Sequence, residues 1–293
     1  MGPVEAPRDE FAALLIGRAY FRLPHRVVRL AGSDAAAWLH DLVTADVASL
    51  EPGRSRRSLL LTPTGRIRAD FTVVPDDEGF LLLQEAAQPD RIEALLDPYV
   101  LSSDVALRDA TDELVVFTVG GDARPGDHEV FAPTALGPGV GTLVPRGEEA
   151  DAFATELATG GLVEAGLDAP ETWRILRGIP RMGADFDTDS LPAEAGLESA
   201  IDRTKGCFLG QESVARVANL GHPPRVLRHL TASGDVGPGD MVSADGVEIG
   251  HITGAARDLD GGVVALARVR WDARDAELVA RGSVRLLPAP PSD

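Results

Sequence analysis

The sequence predicts an α+β protein of more than one domain, and three observations lead to this class. The 293 residues exceed what one hydrophobic core usually organises, so about two domains, or three small ones, are expected. Strand-like runs and helical patterns are mixed up to about residue 119. From about residue 225 onward, short strands separated by Gly and Asp predict a small C-terminal β-barrel or sandwich.

Helical and strand-like patterns alternate in the N-terminal half. Residues 1–20 resemble a loose tail that ends in a short apolar segment. Ser33 and Asp34 precede an apolar stretch and predict an N-cap, with a helix running to about Val43. Apolar residues at helical spacing predict a further helix within residues 88–101. Strands are predicted at residues 58–62, 66–74, 80–83, 105–107 and 114–119.

The C-terminal half changes character twice. Gly and Pro are frequent in residues 120–146, which predicts loops around short strands. Helices are expected at residues 148–158, 169–176 and 210–218, with an irregular stretch at 183–204. The predicted strands of the barrel are residues 227–232, 241–243, 247–253, 263–269 and 284–287. Residues 288–293 are expected to form a disordered tail.

Charge and cysteine content exclude several function classes. The net charge is −18, so general affinity for nucleic acid or for an anionic membrane is not expected. A single cysteine forbids an intramolecular disulfide and any metal site built from cysteines alone. The histidines lack metal-ligand spacing, so we assign no metal. No apolar run approaches the ~20 residues of a membrane span. The acidic N-terminus does not resemble a signal peptide, and we expect a cytoplasmic protein.

The only lysine and the only cysteine of the chain lie two residues apart, at Lys205 and Cys207. A lysine retained among so many arginines suggests a role that arginine cannot fill, since lysine is a compact point charge and arginine a planar fork. A neighbouring ammonium favours the thiolate, which is the reactive form of cysteine. We therefore expect Cys207 to be reactive. The alternative is that Lys205 pairs with an acid and Cys207 fills a gap in the core.

These two residues begin a longer motif, Lys-Gly-Cys-Phe-Leu-Gly-Gln-Glu at 205–212, which continues into Ala215 and Arg216. The motif resembles the signature of the YgfZ family, folate-binding relatives of the aminomethyltransferase of glycine cleavage. Similarity to that family extends from residue 20 to residue 270. The motif at 205–212 is the specific element of the resemblance. Supporting similarity lies in residues 44–47, 59–70, 177–180 and 191–194.

The resemblance implies an aminomethyltransferase-like fold of three domains around an opening that receives folate. The implied domains are a split α/β folate-binding domain (20–55 and 111–224), a ferredoxin-like domain (56–110) and a C-terminal β-barrel (225–288). The implied cofactor is tetrahydrofolate or a derivative. The implied partners are folate and the iron–sulfur enzymes that the protein helps to assemble or repair. Neither nucleic acid nor a membrane is expected as a direct partner.

By the same resemblance, Cys207 and Lys205 are the expected catalytic residues. Gly206 and Gly210 permit tight backbone turns beside the thiol. Gly210 would also open a helix whose N-terminal dipole favours a nearby anion, such as a thiolate or the glutamate tail of folate. The remaining motif members assigned to the folate site are Gln211, Glu212 and Arg216.

Two carboxylates are further candidates for folate binding. Asp70 lies where the aminomethyltransferases carry an aspartate that contacts the folate nitrogens, although an exposed residue at a sheet edge is an equal possibility. Glu194 is the second candidate partner of the pterin. Where those enzymes have a pterin-binding glutamate shortly after an arginine, this chain has Leu176 after Arg174. That departure counts against true aminomethyl transfer.

Three functions follow from these observations. The leading one is a folate-binding accessory protein that supports assembly or repair of iron–sulfur enzymes, with Cys207 as the key thiol. The second is a tetrahydrofolate-dependent aminomethyltransferase, and the third is a non-catalytic folate-binding module. Whether the chain turns over a substrate is left open by the sequence; if it does, a one-carbon transferase is expected.

Overall fold

The computed structural model describes residues 2–120, 129–132 and 137–289. The last four residues of the predicted disordered tail, and parts of the predicted loop region 120–146, lie outside the described residues. The chain divides into two compact units. The barrel unit comprises Met1–Ala12, Gly166–Glu198 and Val214–Asp293, and the two-sheet unit comprises Ala13–Ala165 and Ser199–Ser213.

The helices of the described part of the chain are short. Their bounds are α1 (Arg8–Leu15), α2 (Ala35–Leu42), α3 (Ile92–Leu96), α4 (Glu148–Thr159), α5 (Asp168–Leu176) and α6 (Gln211–Leu220). None of these described helices has the length and apolar character needed to cross a membrane. Helix α3 is shorter than the sequence predicts and continues as a 3₁₀ turn, because Pro98 has no N–H with which to extend an α-helical ladder.

The strands are spread over the whole chain. Those of the first half are β1 (Ala19–Leu23), β2 (His25–Ala31), β3 (Arg56–Leu61), β4 (Ile67–Asp76), β5 (Gly79–Glu85), β6 (Ala106–Asp109) and β7 (Leu114–Val119). Those of the second half are β8 (Val130–Phe131), β9 (Val140–Pro145), β10 (Val163–Glu164), β11 (Arg225–Ala232), β12 (Met241–Ala244), β13 (Val247–Arg257), β14 (Val263–Arg270), β15 (Leu278–Ala280) and β16 (Val284–Pro288).

The two-sheet unit is built in four layers. Its first sheet has the strand order β3-β4-β5-β2-β6 and its second the order β10-β1-β7-β9-β8. Helices α2 and α3 cover one face of the first sheet, through a core that includes Leu39 and Phe71. The opposite face packs on the second sheet, where Leu83 and Val116 share a core. Helix α4 covers the outer face of the second sheet, where the Phe153 ring lies edge-on to the ring of Phe117.

Strand β2 joins the first sheet from outside the range predicted for the ferredoxin-like domain. It pairs antiparallel with β5, from His25 opposite Glu85 to Ala31 opposite Gly79, and with β6 on its other side. The sequence predicts neither β1 nor β2, since arginines interrupt the apolar pattern of both. The pairing partner of β2 lies about 50 residues away, so no local signal announces it.

The barrel unit contains a closed barrel in the order β11-β14-β13-β12-β15-β16. Closure removes free strand edges, and the narrow interior favours small side chains such as Ala255, Ala265 and Ala267. Helix α5 lies against this barrel, where Ile175 packs on Leu266. The mixed sheets and the closed C-terminal barrel confirm the predicted α+β class.

Candidate functional site

The side chain of Lys205 lies against the C-terminal end of α2. Its Nζ donates three hydrogen bonds, to the backbone carbonyls of His40, Val43 (2.7 Å) and Ala45 (3.0 Å). Carbonyls at a helix C-terminus lack partners within the helix and carry partial negative charge, so an ammonium is a favourable cap there. The hydrogen-bond partners of Lys205 are thus backbone oxygens. The alternative considered from the sequence was an ion pair with an acidic side chain.

The residues that follow the thiol are anchored as well. Phe208 is 7% exposed, and Leu209 packs against the core beneath α2. Gly210 has φ +85° and lies so close to the β3–β4 turn that an added Cβ would be 2.5 Å from the carbonyl oxygen of Thr62. Only glycine adopts that conformation at no cost in that space. Ser213 adds a hydrogen bond from its hydroxyl to the carbonyl of Pro63 at 3.2 Å.

Cys207 is exposed between these anchored neighbours. The alternative in which the thiol fills a core gap therefore does not hold. An exposed sulfur on a segment fixed at both sides can meet a partner molecule without a large rearrangement of the backbone. Among the described residues, no group of three or more His, Cys, Asp or Glu side chains is placed to hold a metal ion.

Acidic side chains surround the buried ammonium. Burial lowers the pKa of Lys205 to about 8, while Asp46, Asp41 and Asp202 act in the opposite direction. The hydroxyl of Ser49 lowers the pKa of Asp46, which also contacts His40 at 3.2 Å. Hydrogen bonds from the Thr204 hydroxyl and backbone lower the pKa of Asp202 in the same way. The carboxylates of Asp46 and Asp202 are therefore charged near neutral pH, and Lys205 is a half-buried cation close to them.

Asp70 lies inside the first sheet of the two-sheet unit. It is 8% exposed on β4, a strand with neighbours on both sides, so it is not the exposed edge residue that the sequence left possible. Arg57 on β3 holds both carboxylate oxygens, from Nε to Oδ1 at 2.8 Å and from Nη2 to Oδ2 at 2.5 Å. Gln88 fixes the Asp70 backbone through bonds to its N–H and its carbonyl. The carboxylate is thus rigid and bidentately paired.

Glu194 belongs to the barrel unit and is 5% exposed. Its Oε2 accepts a hydrogen bond from the Leu191 backbone N–H at 2.9 Å and lies 3.8 Å from Nη2 of Arg268. Arg268 also donates to Asp187 at 3.3 Å, and within the described part of the chain its buried Nε has no partner. Glu194 therefore stabilises the turn at residues 191–194 and interacts with the guanidinium of Arg268.

The other predicted members of the folate site open α6. Gln211 is the first residue of that helix and is half-buried, while Glu212 and Arg216 are exposed. Glu212 and Arg216 stand four positions apart, which places them on one helical face. Leu176 ends α5, is partly buried and packs beside Ile175, so that position contributes apolar surface.

Sequence reasoning missed Arg57 and Arg268. A diagonal position across two paired strands brings Arg57 to Asp70, since Leu59 and not Arg57 is the direct partner of Asp70. A sequence signal for this pair exists, because a charged residue within an apolar strand run is expected to be buried and then requires a partner on the neighbouring strand. Arg268 carries the same signal within β14, but the signal does not identify Glu194, which lies far from it along the chain.

Comparison with known proteins adds to this geometry. Residues 25–125 match the family model of the GCVT N-terminal domain. A crystal structure of the glycine cleavage system aminomethyltransferase T from Bartonella henselae superposes with a TM-score of 0.81 at 22% identity, covering 96% of this chain and 88% of that one. The likeness shows the fold: the chain has the aminomethyltransferase T-protein architecture, as the sequence predicted.

Relatives with curated names include an aminomethyltransferase, an iron–sulfur cluster assembly factor and a putative transferase. An aminomethyltransferase of Streptomyces avermitilis is 29% identical over 89% of this chain and 81% of its own length. A mitochondrial iron–sulfur cluster assembly factor of Pyricularia oryzae, an IBA57 homologue, is 28% identical over 67% of this chain and 52% of its own length. A putative chloroplastic transferase of Arabidopsis thaliana is 26% identical over 77% and 59%. The chain spans little more than half the length of these last two relatives.

Proposed function

We propose that this chain is a folate-binding accessory protein that supports assembly or repair of iron–sulfur enzymes, with Cys207 as its working thiol. The observation that carries the proposal is the placement of that thiol: exposed, with Lys205 and Phe208 anchored on either side. The relative named as an iron–sulfur cluster assembly factor supports it. YgfZ-like membership, iron–sulfur client enzymes and a cytoplasmic location are parts of the same proposal.

Tetrahydrofolate or a derivative is the proposed cofactor, and the carboxylates of the chain fit it chemically. A carboxylate accepts about four hydrogen bonds, and Arg57 occupies two sites on Asp70, so acceptor sites remain for the ring N–H groups of a pterin. Glu194 offers a second buried carboxylate, and Gln211, Glu212 and Arg216 are the further proposed contacts. The bound folate would supply nitrogens that carry one-carbon units.

The second candidate function is aminomethyl transfer, favoured by relatives with that name over most of the chain. Leu176 counts against it, because an apolar side chain at the end of α5 cannot hydrogen-bond a pterin. The purified protein, given tetrahydrofolate and an aminomethyl-lipoyl carrier, should therefore release neither ammonia nor methylene-tetrahydrofolate. Release of both at rates typical of enzymes would replace the proposal with this function.

Removal of the thiol should abolish function in cells while leaving the fold intact. In cells that lack the gene, a [4Fe–4S] enzyme should lose activity, and the wild-type chain should restore it. Cys207→Ala should not, because an exposed side chain contributes little to stability but is the proposed reactive group. The measurement is the enzyme's activity at equal levels of each variant.

Arg203→Ala is the matched control for this experiment, since Arg203 is exposed in the same segment and lies outside the motif. It should rescue as the wild type does. Equal rescue by Cys207→Ala would remove the thiol from the mechanism, and the absence of any defect in cells lacking the gene would overturn the iron–sulfur role.

Asp70→Asn should weaken binding of tetrahydrofolate. The amide loses the charge that accepts from ring N–H groups, and hydrogen bonds to charged groups contribute about 1.5–3 kcal/mol, so Kd should rise by roughly ten-fold or more. Calorimetric titration of the purified protein measures Kd. Asp90→Asn is the control, because Asp90 pairs with Arg68 at a site that is 45% exposed. An unchanged Kd for Asp70→Asn would exclude this carboxylate from the folate site.

A further inference from the structure

The ammonium of Lys205 has no donor left for the thiol. A lysine side chain carries three N–H groups, and three backbone carbonyls, those of His40, Val43 and Ala45, receive them. Proton donation or a direct hydrogen bond to Cys207 would require one of these bonds to break. The contacts of Lys205 therefore indicate a role in holding the segment in place.

The carbonyl site also explains why lysine is retained at this single position. The three acceptors converge on one point at the end of α2, which suits a compact ammonium. A guanidinium presents its donors in a plane and in a fixed fork, so it cannot direct three of them at that point. Arginine, used at every other basic position of the chain, would keep the charge and lose the geometry.

A second anchor lies on the other side of the thiol. The ring of Phe208 is buried, and its centroid is 5.6 Å from the Lys205 ammonium, a distance at which the ring attracts the cation. Gly206, between Lys205 and Cys207, has open space around it, with nothing within 4 Å of an added Cβ. Gly206 thus has no close neighbour at its Cβ position among the described residues, and the contacts that hold the segment beside the sulfur are those of the two anchors.

We propose that Lys205 is a positioning residue for Cys207: by binding the carbonyls at the C-terminal end of α2, it holds the thiol-bearing segment in one conformation. The inference rests on the proposed function in treating Cys207 as the working thiol. Lys205 then acts as a fixed attachment point for the segment, and not as a charge that activates the thiol.

The protonation state of Lys205 changes the hydrogen bonds that make this attachment. A neutral amine has two N–H groups and a lone pair, so one of the three carbonyls loses its partner on deprotonation. Burial lowers the pKa of Lys205 to about 8. The charged groups around it are Asp41 on α2, Asp46 with its partner His40, and Asp202, while Arg56 lies near Asp46 and Asp202. Because the attached conformation holds this proton less tightly than a lysine in water, whose pKa is 10.5, the attachment should persist as the pH rises above about 8.

A nitroxide spin label attached to Cys207 tests this directly, because the chain has no other cysteine. Electron paramagnetic resonance spectra report the motion of the label on the nanosecond scale. The wild-type chain and Arg203→Ala should give an immobilised label at pH 7. Lys205→Met and Lys205→Arg should both lose the immobilised component. A role through charge alone predicts that Lys205→Arg stays like the wild type, and that result would overturn the proposal, as would an immobilised label in both variants.

The wild-type chain provides a second measurement that needs no substitution at Lys205, in case the variants fail to fold. The label should be immobilised in the wild-type chain at pH 7 and should stay immobilised at pH 9.5, since a lowered pKa of Lys205 does not favour detachment in that range. A mobile label in the wild-type chain at either pH would contradict the attachment.

Rescue of the [4Fe–4S] enzyme in cells separates this inference from the proposed function. If both hold, Lys205→Arg should fail to rescue as Lys205→Met does. If cells lacking the gene show no defect, the proposed function fails, and the label spectra still decide whether Lys205 positions the thiol. Full rescue by Lys205→Arg with a mobile label would show that positioning is dispensable and would overturn the inference.

Discussion

Arg174→Met is expected to destabilise the protein by about 3 kcal/mol or more, because it removes the guanidinium that pairs with the buried carboxylate of Asp185. Arg174 is 8% exposed and holds Glu171 through two bonds of 2.6 and 2.7 Å. It also donates to Asp185 at 2.7 Å, and the Asp185 side chain has no exposed surface. The methionine fits the volume but cannot pair with Asp185, whereas Glu171 keeps Arg181 at 2.9 Å. Urea unfolding of the two proteins measures the difference in the free energy of unfolding.

Arg270→Met is the matched control for this substitution. Arg270 also makes a two-bond pair, with Asp272 at 2.5 and 3.0 Å, but both side chains are more than half exposed. Exposed pairs contribute about 0–1 kcal/mol, so this variant should unfold close to the wild type. Equal losses in the two variants would mean that burial of the Arg174 pair does not govern its contribution. A loss below about 1 kcal/mol for Arg174→Met would contradict the prediction outright.

Gly210→Ala should be the most damaging small substitution in the thiol segment. The residue has φ +85°, and a Cβ there would lie 2.5 Å from the Thr62 carbonyl oxygen and 3.1 Å from Leu61 Cβ. A left-handed conformation costs an ordinary residue about 1–2 kcal/mol, and the contact with backbone adds to this because backbone cannot swing away. We expect a total loss of at least about 2 kcal/mol in urea unfolding, together with a mobile spin label at Cys207.

Gly206→Ala is the control that separates this steric effect from a general sensitivity of the motif to substitution. Gly206 lies four residues earlier, outside the residues with positive φ, and an added Cβ meets nothing within 4 Å. Alanine at such a position changes stability by less than about 1 kcal/mol and can raise it by restricting the unfolded chain. If both substitutions cost the same, the close approach of Gly210 to the β3–β4 turn is not the cause.

The candidate site shows where sequence reasoning succeeds and where it stops. The motif at 205–212 is enough to single out Lys205 and Cys207, and its two glycines have the contrasting surroundings described above. The partners of Lys205 were not predictable. They are backbone carbonyls about 160 residues earlier in the chain, and carbonyls have no residue-type signature. From their spacing along the chain, one would infer only that the charge of Lys205 acts on the thiol of Cys207.

Much of the fold follows from local patterns. Strand β7 and helix α5 lie within one residue of their predicted bounds, because alternation and helical spacing are properties of contiguous residues. The domain ranges proposed from the resemblance do not include β2 with the strands it pairs with. The order of strands depends on contacts between distant segments, and no pattern within a strand records its neighbour.

By itself, the sequence determined the α+β class and a small C-terminal barrel or sandwich, since composition and periodicity are properties of contiguous residues. It also showed the lone thiol, while Asp70 was singled out through the family resemblance. Only the tertiary structure decided that Cys207 is exposed, that Arg57 pairs with Asp70 and that Lys205 is held by α2. Burial and pairing depend on which segments fold against one another. The same lysine side chain has a different pKa and different hydrogen-bond partners in water and among three backbone carbonyls.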